Sequence, residues 1–125
     1  MTTYAGSIDK TEPKQGVKFS ALVGLGGVTA GQPVMWDGST ANTVIACTAS
    51  SDACIGLARD TVSAAGAVTV LGNGCLVLTP YTLTVGTKVG VGSGVLVDWS
   101  VSGTVAGTTV TGASSASVVR VQIQY

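Results

Sequence analysis

The chain has 125 residues, enough for one domain with a buried core and too few for two domains joined by a linker. Six Lys and Arg balance six Asp and Glu, so charged residues make up 10% of the chain, against about 25% in a typical soluble domain. The zero net charge argues against a nucleic-acid partner, and the absence of His removes the commonest general base and metal ligand. We therefore expect no enzymatic activity, no cofactor and no metal site.

The composition and the glycine spacing favour a β-sheet protein. Val and Thr supply 20 and 17 residues, and such β-branched side chains fit pleated sheets. From Val17 onward, Gly interrupts short apolar segments about every eight to twelve residues. This pattern predicts an all-β fold, a single compact sandwich or barrel of about nine short, mainly antiparallel strands over residues 17–125. The longest aliphatic run, 76–78, is far below the roughly 20 residues that span a bilayer, so no membrane partner is expected.

Residues 1–16 differ from the rest of the chain. Five of the charged residues fall between Ile8 and Lys18, together with Pro13 and Gly16, and apolar periodicity is missing there. We interpret 1–16 as an extended N-terminal arm, either a frayed end or an extension that orders on a neighbouring subunit or a partner. The first residues lack the basic and apolar regions of a secretory signal, so we expect synthesis in the cytoplasm.

Two turn signals follow in chain order. Asp37-Gly38 lies between the apolar segments 33–36 and 43–47, and Asn73-Gly74 lies between 68–71 and 75–78. Asp-Gly and Asn-Gly favour the tight turns that join antiparallel strands. Each signal therefore predicts a β-hairpin.

The three cysteines are Cys47, Cys54 and Cys75. They form no Cys-x-x-Cys pair and are too few for a four-ligand zinc site without His. We interpret all three as reduced, buried packing residues. A bridge between Cys47 and Cys54 and a cross-subunit bridge formed late remain open alternatives, and the odd number leaves at least one cysteine unpaired within the chain.

The C-terminal residues give the clearest strand signal. Apolar residues at 119, 121, 123 and 125 alternate with polar residues at 120, 122 and 124, which predicts a half-buried strand. The preceding stretch, 101–117, is rich in Gly, Ser and Thr and leaves the C-terminal topology open.

Asp and Trp side chains are the candidates for chemistry in this sequence. Asp37 and Asp52 are carboxylates in turn contexts, where Asp is favoured for local hydrogen bonds rather than for an acid and base pair. Trp36 and Trp99 each adjoin an aspartate near a strand end. We interpret both rings as caps on the core or as parts of a subunit contact, with stacking on a sugar as the alternative.

The succession of short motifs resembles a known family. It consists of Ala-Gly-Gln-Pro-Val-Met-Trp-Asp-Gly at 30–38, Ile-Gly-Leu-Ala-Arg-Asp at 55–60, Ala-Gly-Ala-Val-Thr-Val at 65–70, Gly-Cys-Leu-Val-Leu at 74–78 and Val-Gly-Thr-Lys-Val at 85–89. In this order, from about Gly16 to Val97, the chain resembles the capsid decoration, or cement, proteins of tailed double-stranded DNA bacteriophages. The tail at 101–117 departs from the simple closing hairpin of that family.

The resemblance implies a non-enzymatic protein that stabilises the phage head. Such a protein would bind as an oligomer, a homotrimer in our expectation, to the outer surface of the capsid where subunits of the major capsid protein meet. The scarcity of charge fits this role, because a charge-poor surface costs little to desolvate against copies of itself and a lattice. Our candidates for capsid or subunit contact are Ile8, Lys10, Lys14, Phe19, Trp36 and Trp99.

Two other roles remain open at this point. One is a surface-binding module, such as part of a phage fibre or a carbohydrate-recognising β-sandwich that uses Trp36 or Trp99 as its stacking platform. The other is a subunit of the phage tail tube, which would form open polymers instead of closed oligomers.

Overall fold

The computed structural model describes residues 8, 16–49, 52–79, 81–92, 95–98, 105–111 and 117–121. These residues contain ten strands and no helix. In chain order the strands are β1 Lys18–Val23, β2 Pro33–Trp36, β3 Thr43–Ala46, β4 Gly56–Ala58, β5 Ala67–Leu71, β6 Leu76–Thr79, β7 Lys88–Gly92, β8 Val95–Asp98, β9 Val105–Thr111 and β10 Ser117–Val121. The predicted all-β fold is confirmed, with one strand more than the nine expected.

The first five strands close into a barrel in the order β1-β3-β2-β4-β5. Antiparallel pairing of β1 with β5, from Lys18 opposite Leu71 to Leu22 opposite Ala67, completes the ring. The pair β1 and β3 is parallel, and the other barrel pairs are antiparallel. A five-stranded barrel has a narrow interior, and small aliphatic side chains fill it. They are Ala21, Val23, Val34, Val44, Ala58, Val68 and Val70.

The last five strands form a second, antiparallel sheet in the order β6-β10-β9-β7-β8. Its inner face packs on the outside of the barrel, where Leu57 and Leu71 of the barrel share one apolar cluster with Val77, Val89 and residues of the neighbouring strands. The register shifts once between β10 and β9 and once between β7 and β9, and such irregularities increase the twist of a sheet. The main core therefore lies between barrel and sheet.

The first predicted hairpin is confirmed. β2 and β3 are antiparallel, with Met35 opposite Ile45 and Trp36 opposite Val44. Asp37 starts the connecting turn, and its side chain accepts hydrogen bonds from Ser39. The Asp-Gly signal thus predicted both the turn and the pairing.

The second predicted hairpin is wrong. The strands on either side of Asn73-Gly74 do not pair, because β5 belongs to the barrel and β6 to the second sheet. Gly74 has a φ of 88°, and its amide donates to the carbonyl of Val121, while the carbonyl of Asn73 accepts from Val17. The turn is real, but it carries the chain from one sheet to the other.

The described part of the C-terminal strand agrees with its pattern. In β10, Val119 and Val121 are buried and Arg120 is exposed. Residues 122–125 lie outside the described residues. The Gly, Ser and Thr-rich stretch contributes β9, so that β9 and β10 occupy interior positions of the second sheet.

Candidate functional surfaces

Two of the predicted contact residues meet at one end of the barrel. Phe19 lies near the start of β1 and Trp36 at the end of β2, and these strands run in opposite directions because β2 is antiparallel to β3 and β3 is parallel to β1. The two rings stack with centroids 5.6 Å apart and planes inclined by 28°. Phe19 packs on the barrel core, whereas Trp36 remains 44% exposed. This aromatic pair closes the barrel end and leaves part of one ring open to solvent.

Asp37, the neighbour of Trp36, stabilises the turn. One of its oxygens, Oδ1, accepts hydrogen bonds from the Ser39 amide at 3.0 Å and from the Ser39 hydroxyl at 2.8 Å. The hydrogen bonds from Ser39 hold the pKa of Asp37 below its usual value. The turn interpretation of this aspartate is confirmed.

Ile8 lies in the core of its own subunit. Its side chain is 1% exposed and belongs to the cluster between barrel and sheet, and its carbonyl accepts a hydrogen bond from the Leu78 amide at 3.1 Å. A capsid contact through the Ile8 side chain would require that side chain to leave the core. Lys10, Lys14 and Trp99 lie outside the described residues, so their assignment as contacts stays a prediction.

A groove runs along the outer face of the β2–β3 hairpin and has a volume of about 1110 Å³. Met35 and Ile45, a cross-strand pair, line it together with residues of the loops around Gly26, Thr48 and Ser63. Leu25, at the tip of the first loop, is 93% exposed. Sequence reasoning missed this groove because its walls come from three loops that are far apart in the chain.

Asp52 also lines the groove and stabilises one of its walls. Its Oδ2 accepts hydrogen bonds from the amides of Thr48 and Ala49 at 2.8 and 3.0 Å. These bonds, that from Ala49 first, lower the pKa of the carboxyl. Asp52 therefore has the local hydrogen-bonding role predicted for it.

The outer face of the second sheet carries a different surface. Arg120 pairs with Leu76 on one side and with Thr108 on the other, and Thr108 pairs with Lys88, so these four residues form one row across the strands. Val97 and Val110 are also exposed in this sheet. At its edge, the Asp98 carboxylate of β8 accepts hydrogen bonds from residues of the turn before β7, the Thr84 amide and hydroxyl and the Thr87 hydroxyl.

The described residues contain no group of three or more His, Cys, Asp or Glu side chains arranged to hold a metal ion. In the same part of the chain, no helix of the length and hydropathy needed to cross a membrane occurs. The three cysteines are buried free thiols, as the packing interpretation predicts.

The architecture, a closed five-stranded barrel packed on a five-stranded antiparallel sheet, has a counterpart among solved structures, although no protein-family model and no curated protein match the chain. One such counterpart is the crystal structure of the N base of the head fiber gp8.5 in bacteriophage phi29. The match has a TM-score of 0.60 and covers 87% of this chain and 98% of the phage chain, at 17% sequence identity. At this identity the likeness shows a shared fold.

Proposed function

We propose that this chain is a non-enzymatic structural protein of a phage virion. In this role it binds as an oligomer, a homotrimer, to the outer capsid surface where major capsid subunits meet, and it stabilises the head. The observation that carries the proposal is the fold shared with the base of a phage head fiber over nearly the whole of both chains. The motif order that resembles the cement proteins supports the same assignment independently of the fold.

The surface chemistry supports attachment through many weak contacts. Exposed apolar side chains occur on both halves of the molecule, including Leu25 and Trp36 on the barrel and Val97 and Val110 on the sheet. Such groups lose little hydration free energy when a neighbouring subunit covers them. In a trimer, three equivalent contacts act together, so that modest individual affinities give long-lived attachment.

We assign the capsid contact to the barrel end and to the arm. The barrel end offers the exposed part of the Trp36 ring, and Leu25 projects from the adjacent groove. Partly exposed aromatic rings on a rigid scaffold are typical anchors of protein interfaces. Lys10 and Lys14 extend the predicted contact along the arm.

The direct test mixes the purified protein with undecorated phage heads and measures co-sedimentation and copy number. Saturable uptake in multiples of three, with light scattering showing a trimer in solution, is the expected result. A monomer that does not sediment with heads would contradict the proposal. Open polymers of undefined length would instead favour a tube subunit.

A matched pair of variants tests the assigned surface. Leu25→Ser and Val85→Ser each remove an exposed apolar side chain from a loop. Leu25 lines the groove beside the barrel, and Val85 lies in the turn before β7 of the second sheet. We expect Leu25→Ser to weaken attachment about tenfold and Val85→Ser to leave it unchanged, because only the first lies on the proposed contact surface. The reverse order of effects would place the contact on the sheet.

The arm is best tested without removing Ile8. A Lys10→Glu and Lys14→Glu double variant reverses the charge of the arm and leaves the buried isoleucine in place. We expect reduced uptake by heads at an unchanged melting temperature. Unchanged uptake would refute the contact role of the two lysines.

A second candidate function is a surface-binding module of a head fibre. It is favoured by the name of the structural neighbour, a head fiber base, and by the exposed ring of Trp36 beside a groove. This reading predicts binding to glycans or to cells that Trp36→Ala abolishes without changing the oligomeric state. The decoration role predicts that neither the unmodified chain nor the Trp36→Ala variant binds glycans.

A further inference from the structure

One edge of the second sheet lacks a neighbouring strand. The five barrel strands pair on both sides because the barrel is closed, and β10, β9 and β7 each lie between two strands. At one edge of the sheet, the β6 backbone is bound by Ile8, whose carbonyl accepts a hydrogen bond from the Leu78 amide at 3.1 Å. Among the ten described strands, β8 is therefore the one whose backbone has a partner, β7, on a single side.

β8 lacks the residues and irregularities that protect sheet edges from association. An open edge presents backbone N–H and C=O groups of alternate residues to any further strand, and natural edges are blocked by Lys, by Pro or by β-bulges. Val95, Leu96 and Val97 are all aliphatic, and the register with β7 runs through four consecutive pairs without a shift. The backbone of β8 is thus regular enough to accept another strand.

The side chains of β8 alternate between the two faces of the sheet. Leu96 is 2% exposed and belongs to the main core, whereas Val97 is 38% exposed. Asp98 is the charged residue of this strand, and its carboxylate accepts hydrogen bonds from the Thr84 amide at 3.0 Å and from the Thr84 hydroxyl at 2.7 Å. Because the carboxylate is satisfied within its own subunit, the open edge offers backbone hydrogen bonds and aliphatic side chains to a partner.

We propose that the open edge of β8 binds β8 of a second copy of this chain. The two strands run antiparallel about a twofold axis perpendicular to the sheet, and the two second sheets join into one sheet of ten strands. Residues that lie opposite each other in such a pair must have side chains on the same face, so the axis passes beside one residue that lies opposite itself.

Two registers about such an axis pair three residues of the described strand. With Leu96 at the centre, Val95 of each copy lies opposite Val97 of the other, so every paired residue is aliphatic. The two Asp98 residues then lie about 14 Å apart along the strands, at opposite ends of the paired segment. With Val97 at the centre, each Asp98 lies opposite Leu96, which sets a carboxylate against an apolar side chain. The strand is therefore self-complementary in the register centred on Leu96.

The small size of this contact determines its strength. Three residues from each copy bury much less area than a standard protein interface, so we expect a Kd of about 0.1–1 mM. A twofold pair joins two chains and is a different contact from the threefold one of the proposed trimer. The inference goes beyond the proposed function and does not depend on it.

The test measures the mass of the purified full chain by light scattering as its concentration rises from about 10 µM to about 1 mM, a range that brackets this affinity. Val97→Lys places a charge on the edge strand, and Val110→Lys places the same charge on the interior strand β9. The two valines are 38% and 42% exposed and are therefore a matched pair. We expect the mass to double with concentration for the unmodified chain and for Val110→Lys, and to stay constant for Val97→Lys.

A mass that stays constant for the unmodified chain, or doubling that survives in Val97→Lys, would overturn the inference. The outcome for the proposed function is read separately from the same curves. A trimer of constant mass would leave the proposed trimer standing and remove the β8 contact. Doubling from monomer to dimer would support the β8 contact and contradict the trimer.

Cross-linking tests the register without relying on a lysine variant that is folded. Residues directly opposite each other in an antiparallel pair have Cβ atoms about 4.5–5.5 Å apart, which a disulfide can bridge after a small adjustment. Val95→Cys and Val97→Cys are mixed at high concentration with diamide as the oxidant, while the native cysteines are buried. We expect covalent dimers in the mixture and few in either variant alone. Dimers of Val97→Cys alone, or none in the mixture, would overturn the register centred on Leu96.

Discussion

At the scale of single residues, Ile8 changes the interpretation of the N-terminal segment. The charged residues and the missing periodicity predict that 1–16 is an extended arm. Ile8, a large aliphatic residue within this segment, is nevertheless buried against strands that come much later in the chain. No periodic pattern could indicate this, because one apolar residue has no period. Removing 1–16 as a whole would therefore remove a core side chain together with the arm.

We predict that Ile8→Ala lowers the free energy of unfolding by about 2–5 kcal/mol, because it leaves a cavity in the main core. Val17→Ala is the matched control, since Val17 is 56% exposed and its replacement should change stability by less than about 0.5 kcal/mol. Urea denaturation of both variants measures the difference. Equal stabilities would show that Ile8 is not part of the core.

Asp98 supports a pH prediction. The hydrogen bonds from Thr84, and a weaker contribution from Thr87, lower its pKa in the folded chain. A carboxyl with a lowered folded pKa stabilises the fold above its unfolded value of about 3.9, and this contribution is lost as the pH falls through the folded pKa. Stability should therefore be constant near neutral pH and decline in acid.

The variant Asp98→Asn should lower Tm at neutral pH and make the acid decline shallower, because the charged acceptor at the edge of β8 is removed. Asp60→Asn serves as the control, since it interrupts a partly exposed ion pair with Arg59 that is expected to contribute little. Thermal melts measure the Tm of the unmodified chain and of the two variants as the pH is lowered through the acidic range. Parallel curves for Asp98→Asn and the unmodified chain would contradict the assignment.

At the scale of elements, turn chemistry predicted where the chain reverses but not always which strands pair. Asp37-Gly38 joins two strands that stay in one sheet, whereas Asn73-Gly74 joins strands of different sheets. Both dipeptides lie in turns, but Gly74 itself has a positive φ of 88°, whereas in the first turn the positive φ is that of Asn42. The choice of partner depends on long-range packing, in this case on β10, which pairs with β6 and comes from the far end of the sequence.

The seam between β4 and β5 supplies a prediction at this scale. A Cβ atom at Gly56 would lie 2.6 Å from the Leu71 carbonyl oxygen and 2.7 Å from Cγ1 of Val70. Gly56→Ala should therefore push the two barrel strands apart and cost about 1–3 kcal/mol or more. Gly38→Ala, where nothing lies within 4 Å, should be close to neutral. Equal unfolding midpoints for the two variants would refute the close approach of these strands.

At the scale of the whole molecule, the number of charges is small for the area that must be hydrated. The accessible surface is 6208 Å², and six basic and six acidic residues are available to cover it. If attachment to heads depends on apolar contacts, its Kd should change by less than about threefold between about 0.05 M and about 0.5 M NaCl. Co-sedimentation with heads at several NaCl concentrations measures this Kd. A loss of binding at high salt would instead indicate ionic contacts.

The all-β class could be predicted from composition, and the division into two five-stranded units could not. Small aliphatic residues at 21, 23, 34 and 44 fill the barrel, but the same residue types occur in strands of the second sheet. Alternation shows which side chains share a face and leaves open what that face packs against. The contact between the two rings at the barrel end could not be predicted from the sequence either. Phe19 and Trp36 are each recognisable as aromatic residues, but they become neighbours only when β1 pairs with β3.

The position of β1 has a consequence for how the protein is made. Translation delivers β1 before β3 and β5, the two strands between which it is inserted. A partly synthesised chain therefore exposes an unpaired strand edge until β5 has left the ribosome, and closure of the barrel must follow synthesis of more than half of the chain. This interval is when aggregation competes with folding, so slower synthesis at reduced growth temperature should improve the yield of correctly folded protein.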